Sequence, residues 1–221
     1  GIFKKLTLKA LEIGEERGDH FVFNTPNSQS KPGYLKMGWK EVDKLKVSVR
    51  PVNPYFWKSK GEISEYPKTW NDSSNPEFLD DYQAKMINTG QLFTPKDLDY
   101  LKWRYLNNPL QDYHVVATPD FFLAGYVKDQ GKFKEFRVSE AIKSPGLPNG
   151  ILNKEVKKLS REYGVNVISF SPASDLNFTI SVTGNFGPVL TFKDMAILEK
   201  DKNDFLKLNS WAYCTGDLEL F

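Results

Sequence analysis

The sequence predicts a mixed α/β protein (α+β, with a mixed sheet) in which a helix–glycine–strand–proline unit occurs twice. Three observations carry that expectation. The first is an apolar stripe at helical spacing that ends on a glycine and runs straight into an apolar strand pattern. The second is the return of the same unit later in the chain at nearly constant spacing: Gly18 and Gly164 lie 146 residues apart, as do Pro26 and Pro172. The third is a run of three strand patterns separated by turn signals and preceded by two helical segments.

Of the 221 residues, 40% are hydrophobic and 14% aromatic, which suffices for packed cores. Thirty Lys and Arg against 28 Asp and Glu leave a formal charge of +2, so no polyanionic partner such as nucleic acid is expected. Cys214 is the only cysteine; an intramolecular disulfide is excluded, and a reducing, cytoplasmic location is expected. No apolar run approaches the roughly 20 residues of a membrane span. The chain opens on Gly1 rather than methionine, almost inside a helix pattern, and part of the natural protein is expected to precede it.

In chain order, Phe3, Leu6, Ala10 and Ile13 form the buried stripe of a helix that Gly18 stops. Phe21-Val22-Phe23 reads as a buried strand closed by Pro26. A small helix or loop ending at Gly38-Trp39 and a strand over Lys46 to Arg50 complete the first unit. The stretch 51–76 carries four prolines together with Tyr55-Phe56-Trp57 and Trp70, an aromatic linker; Tyr55-Phe56-Trp57 with Lys58 and Lys60 could stack a sugar or a nucleobase, although such residues more often plug a gap between domains. Helical patterns follow over Phe78 to Ile87 and over Pro95 to Leu106, the latter capped by Thr94 with Asp97 in its first turn. Strands are expected at His114 to Ala117, Phe121 to Val127 and Phe133 to Val138. A helix from Gly150 to Tyr163, a strand over Val165 to Phe170 and another over Met195 to Leu198 repeat the opening unit. The organisation expected is therefore a partial first copy at 1–50, a linker at 51–76 and a second, complete copy at 77–221.

From Asn27 to Trp39 the chain reads Asn-Ser-Gln-Ser-Lys-Pro-Gly-Tyr-Leu-Lys-Met-Gly-Trp. This resembles the GNAT N-acyltransferase signature Asn-x-x-Ala-x-x-x-Tyr-x-Lys-x-Gly-Phe, with Ser30 at the small position and Trp39 at the aromatic one. The resemblance implies a GNAT-like fold, acetyl-coenzyme A as co-substrate, and a small-molecule amine as acceptor. It also implies that residues 1–50 are the C-terminal half of one GNAT domain and 77–221 a degenerate second one, as in bacterial tandem proteins. Asn27 and Ser30 would line the coenzyme, and Tyr34 would lie near its sulfur as general acid. A phenol with pKa about 10 stays protonated at neutral pH and can donate to a departing thiolate. By residue type alone, a tyrosine there would simply pack its ring at an interface. Gly1-Ile2-Phe3 resembles the end of the family's pyrophosphate loop, so the backbone of Gly1, Ile2, Phe3 and Lys4 would hold the diphosphate at a helix start, with Lys5 adding charge. Phe3 departs from the small residue of that loop. Leu101-Lys102-Trp103-Arg104-Tyr105, Asn108-Pro109 and Gly216-Asp217-Leu218 resemble a bacterial GNAT-like group found with surface-polysaccharide genes, which implies an amino-sugar acceptor. A non-catalytic scaffolding module and a Fem-type aminoacyl transferase are the alternatives; tRNA binding would call for a basic face that the charge balance does not offer.

Other signals are weaker. His20 and His114 are the only histidines and no cysteine pair exists, so no metal site is expected. His20 reads as structural, Asp80-Asp81, Asp97 and Asp99 as solvated helix faces, and Asp217 with Glu219 as an exposed tail that could at most steer an amine.

Overall fold

The computed structural model describes residues 1–57, 63, 65–148, 150–198 and 202–218. Lys58, Lys60 and Glu219 lie outside them. In chain order the elements are α1 (Ile2–Arg17), β1 (Phe21–Asn24), α2 (Lys31–Lys36), β2 (Lys40–Lys44), β3 (Val47–Pro51), β4 (Lys68–Thr69), α3 (Leu79–Asn88), α4 (Leu98–Leu101), β5 (His114–Ala117), β6 (Phe121–Asp129), β7 (Lys134–Lys143), α5 (Gly150–Glu162), β8 (Val167–Phe170), β9 (Val182–Gly184), β10 (Val189–Asp194) and α6 (Lys202–Phe205). The protein is a mixed α/β chain with one mixed sheet and one antiparallel sheet. Its contacts divide it into two units, 1–45 with 185–211 and 218–221, and 46–184 with 212–217. Both are discontinuous in sequence, whereas the boundaries expected at 50 and 76 divide the chain into three consecutive stretches.

The first unit holds a three-stranded antiparallel sheet in the order β1-β10-β2. The final strand, expected at Met195 to Leu198, lies instead at Val189–Asp194, where Leu190, Thr191 and Phe192 are all buried. Phe21, Phe192, Phe205 and Trp211 pack as an aromatic cluster with ring centroids 5.2 to 6.5 Å apart. The Trp211 indole N–H is satisfied by the Phe205 carbonyl at 2.9 Å. Two expectations fail here. The α1 stripe is open to solvent, Leu6 being 67% exposed, and only Gly14 of the helix is buried. Phe21 and Val22 are half-buried and Phe23 is exposed, where a buried strand was expected. Gly18 does end α1, in the left-handed region at φ 82°, where a side chain would be strained.

The second unit is a seven-stranded mixed sheet in the order β4-β5-β6-β7-β8-β3-β9. Helices cover both faces, as period-2 alternation along β6 requires. Phe122 and Ala124 face a core shared with Leu79, Tyr82 and Met86 of α3 and Leu101 of α4. Leu123 faces the opposite core with Leu152, Val156 and Leu159 of α5. The helix expected from Pro95 starts later. Asp97 is its cap, accepting from the Tyr100 N–H at 2.7 Å, and from Lys102 to Leu106 the coil widens to a π-helix.

Strands β6 and β7 slip register at Ala124/Gly125, whose partners are Glu140 and Val138, so Ser139 is an extra, bulged residue. The bulge shifts the side-chain alternation. Val138 belongs to the α5-side core, and Ile142 to the core shared with α3 and α4. Opposite it, a Cβ on Gly125 would lie 2.7 Å from the Arg137 carbonyl oxygen, so only glycine fits.

Candidate functional site

In the first unit, Asn27 Oδ1 accepts from the backbone N–H of Gln29 at 3.0 Å and of Ser30 at 2.9 Å, and meets Ser30 Oγ at 3.1 Å. The two side chains thus lock the turn that opens α2. Pro32 and Gly33 follow, and on the next turn Tyr34 lies between two rings, edge-on to Phe3 at 5.1 Å and tilted against Trp39 at 5.2 Å. Gly33 lets Phe3 approach: a Cβ there would sit 2.8 Å from the Phe3 ring. Phe3, the residue that departs from the loop pattern, therefore carries the start of α1 against α2. At that start the N–H groups of Ile2, Phe3 and Lys4 precede the first intrahelical bond, Lys5 N–H to Gly1 O at 3.3 Å. The Tyr34 hydroxyl has no hydrogen-bond partner among the described residues. Thr25 Oγ1 and Trp39 Nε1 are buried without one.

The second unit holds a cluster of ionisable groups that residue patterns alone do not reveal. Lys96 and Glu140 are 3% and 2% exposed. The Lys96 ammonium lies 2.5 Å from Asp217 Oδ1, 3.0 Å from Glu140 Oε2 and 3.6 Å from Cys214 Sγ, and 4.7 Å from the centre of the Tyr100 ring. Glu140 Oε2 also accepts from Tyr105 Oη and Cys214 Sγ, each at 3.2 Å. Asp217 accepts from Tyr100 Oη at 3.2 Å and from the Cys214 N–H at 2.8 Å. Asp217 is therefore no exposed tail residue but the buried partner of a lysine.

The two carboxyls are driven apart. Burial raises Glu140, and the nearby Asp217 charge adds to that against the pull of Lys96. Burial also pushes Asp217 up, but the Lys96 ammonium and the Cys214 N–H outweigh it and hold its carboxyl low. Lys96 stays firmly protonated: desolvation alone would lower it, and Cys214, Glu140 and Asp217 together prevail. Burial raises the Cys214 thiol, which argues against a reactive thiolate. Glu140, Cys214 and Asp217 offer three ligand atoms within 4.8 Å of one another, but the Lys96 ammonium already supplies the cation there. The pocket beside the cluster, walled by Tyr82, Met86 and Phe93, has about 20 Å³ of space, room for one water.

The cluster sits where β7 and β8 part. These parallel strands pair only from Glu135/Val167 to Arg137/Ser169, and β7 runs on to Lys143 paired with β6 and without β8. Ligands of α/β sheets favour such a crevice beyond the carboxyl ends of parallel strands. Here the chain's own segment 212–217 spans it. Thr215 Oγ1 donates to the Val138 carbonyl at 2.6 Å, and Ser171 Oγ, just past β8, donates to the Tyr213 carbonyl at 2.5 Å. His114, on β5, bonds the Tyr163 hydroxyl through Nδ1 at 2.6 Å, and burial lowers its pKa. Among the described residues no helix is long and apolar enough to cross a membrane.

No protein-family model matches the chain, and no curated protein matches it. Solved structures similar to it include a GCN5-related N-acetyltransferase from Anabaena variabilis ATCC 29413, with TM-score 0.48 and 13% identity over 85% of this chain and 49% of that one. Another is a GCN5-related N-acetyltransferase from Kribbella flavida, with TM-score 0.47 and 12% identity over 86% of this chain and 47% of that one. The chain spans about half the length of these structures.

Proposed function

We propose that the first unit carries the coenzyme A side of a GNAT-like N-acyltransferase site, with acetyl-coenzyme A as donor and a primary amine, of the amino-sugar class, as acceptor. The single observation that carries this reading is the ring contact of Phe3 with Tyr34, which joins the first turn of a 16-residue helix to a tyrosine whose hydroxyl has no partner among the described residues. The coenzyme fits the groups present. Ile2, Phe3 and Lys4 offer backbone donors and a helix dipole to a diphosphate, as the Gly1 to Lys4 expectation requires. Thr25 and Trp39 each hold an unsatisfied polar atom in the same unit. Asn27 and Ser30 contribute by fixing the α2 turn that presents Tyr34.

In the proposed step the amine nitrogen bonds to the thioester carbonyl carbon and the carbon–sulfur bond breaks. The thiolate takes the Tyr34 phenol proton, and the proton shed by the amine restores the phenol. The second unit is proposed as a degenerate tandem copy. Its α5 ends on Gly164 in the left-handed region at φ 62°, as α1 ends on Gly18, and segment 212–217 spans its crevice. Calorimetric titration with acetyl-coenzyme A tests the reading. Tyr34→Phe should bind it as tightly as the wild type while slowing transfer by about 10²-fold or more. Absence of binding by the wild-type chain overturns the proposal.

A binding module without turnover is the second reading. The open apolar face of Ile2, Leu6 and Ile13 favours it.

A further inference from the structure

The second unit contains a concavity of about 260 Å³ that the acyl-transfer reading does not use. It is lined by Trp57, by Asp129, Lys132 and Phe133 around the β6–β7 turn, and by Asn166 just before β8. Two large aromatic side chains remain open here: Trp57 is 46% exposed and Phe133 43%. The Trp57 indole is nonetheless held in place, because its N–H donates to the Val52 carbonyl at 2.9 Å. A planar face is thus fixed while its edge is satisfied, which suits stacking rather than packing.

The polar groups around these rings are positioned but only half engaged. Asp129 Oδ1 accepts from the Gly131 N–H at 2.8 Å, leaving the second carboxylate oxygen as an acceptor. Asn166 Oδ1 accepts from the Lys134 N–H at 2.6 Å, which orients its amide and leaves the NH₂ group as a donor. The Lys132 ammonium adds further donors and has no side-chain partner among the described residues. Gly131, in the left-handed region at φ 75°, makes the tight turn that brings Asp129 and Lys132 to the same rim.

Such a site needs a ligand with a C–H face for the rings and neighbouring groups that both donate and accept. The volume is below the roughly 300–1,000 Å³ of pockets for drug-sized molecules, so it suits a single ring. A pyranose meets these conditions: its axial hydrogens lie on an aromatic face and adjacent hydroxyls can bridge a carboxylate and an amide. A nucleotide fits less well, because its phosphate would meet the Asp129 charge.

We propose that this concavity binds one pyranose residue, stacked on Trp57 and Phe133 and hydrogen-bonded through adjacent hydroxyls to Asp129 and Asn166. The proposal is independent of acyl transfer and is read by binding alone. Saturation-transfer NMR on the full chain would use methyl α-D-glucopyranoside, methyl β-D-galactopyranoside and N-acetylglucosamine at about 10 mM, with AMP as a separate arm, because sites of this size bind near millimolar. At least one sugar should show transfer to its ring hydrogens. Trp57→Ala should weaken that sugar at least tenfold and Asp129→Asn at least threefold, with both variants still folded by circular dichroism under the binding conditions. Three results would each overturn the proposal: no transfer to any of the three sugars, sugar binding that survives Trp57→Ala, or AMP binding in preference to all of them.

Discussion

Replacing Lys96 by methionine removes the ammonium that contacts two buried carboxyls. The side chains are close in length, so packing changes little and the electrostatic loss dominates. In the wild type the ammonium contacts Asp217, Glu140 and Cys214 at 2.5, 3.0 and 3.6 Å. Removing one partner of a buried ion pair typically costs about 3–5 kcal/mol, because the remaining charge is left uncompensated. For a chain of this size each kcal/mol lowers the melting temperature by about 2–4 °C, so a fall of about 6–20 °C is expected in differential scanning calorimetry at pH 7. The double variant Lys96→Met/Asp217→Asn removes the stranded charge as well and should recover at least half of the loss. Acidity supplies a second check. Without Lys96 the folded-state carboxyls are raised above their unfolded values, so the folded chain binds more protons and the deficit should shrink as the pH falls from 7 towards 4. In the wild type Asp217 is held low and works the other way: its contribution is present above the unfolded value of about 3.8 and lost as the pH falls below it. A Lys96→Met protein within 1 kcal/mol of wild type at pH 7 would refute the reasoning.

Further predictions concern particular contacts. A Cβ on Gly216 would overlap the Tyr105 hydroxyl and come within 3.1 Å of the Ser139 carbonyl, so Gly216→Ala should cost at least about 1–3 kcal/mol in urea unfolding. Trp211→Ala empties the centre of the first unit's aromatic cluster and should cost about 3–5 kcal/mol there, with hydrogen exchange accelerating in β1 and β10 while β6 and β7 stay protected. His114 is held below its unfolded value of 6.5 by burial. Its share of stability is therefore complete above pH 6.5 and declines as acid takes the pH through that value towards the lowered folded pKa, by at most about 1.4 kcal/mol per pH unit. His114→Gln should flatten that part of the stability–pH curve measured by urea titration between pH 7 and 5.

Much of the second unit was legible because its local signals agree with its packing. The strand expected at His114 to Ala117 is β5, and the one expected from Phe121 is β6, which runs two residues further, to Asp129. The helix before Gly164 matches α5, whose apolar spacing reflects one buried face. The first unit was less legible because periodicity reports which residues could be buried, not whether anything covers them. Phe3, Leu6 and Ile13 form a stripe in sequence and remain open in the structure. The units themselves were hidden because segment 185–211 joins the sheet of residues 1–45 across the intervening residues 46–184, a pairing no local window contains. The Asn27-to-Tyr34 spacing was visible as a pattern, but the part Phe3 plays was not: a bulky residue in a glycine-rich context reads as a departure until Gly33 is seen to make room for its ring.

The buried cluster shows how one backbone irregularity can hide a site. Along a regular strand Val138 and Glu140 share a face, and a pattern reader would send the glutamate into the apolar core beneath α5, where an unpaired carboxyl costs several kcal/mol. The extra residue Ser139 reverses the alternation, so Val138 keeps the α5 side while Glu140 meets Lys96. The reversal needs Gly125 opposite, which has no Cβ to strike the Arg137 carbonyl. It also sets Val138's carbonyl to receive Thr215 and leaves Glu140 to receive Cys214. The segment that spans the crevice is therefore held by the same bulge that turns the glutamate. Gly125, Ser139 and Glu140 act as one device, in which backbone geometry selects the partner and Lys96 supplies the charge that makes the selection stable.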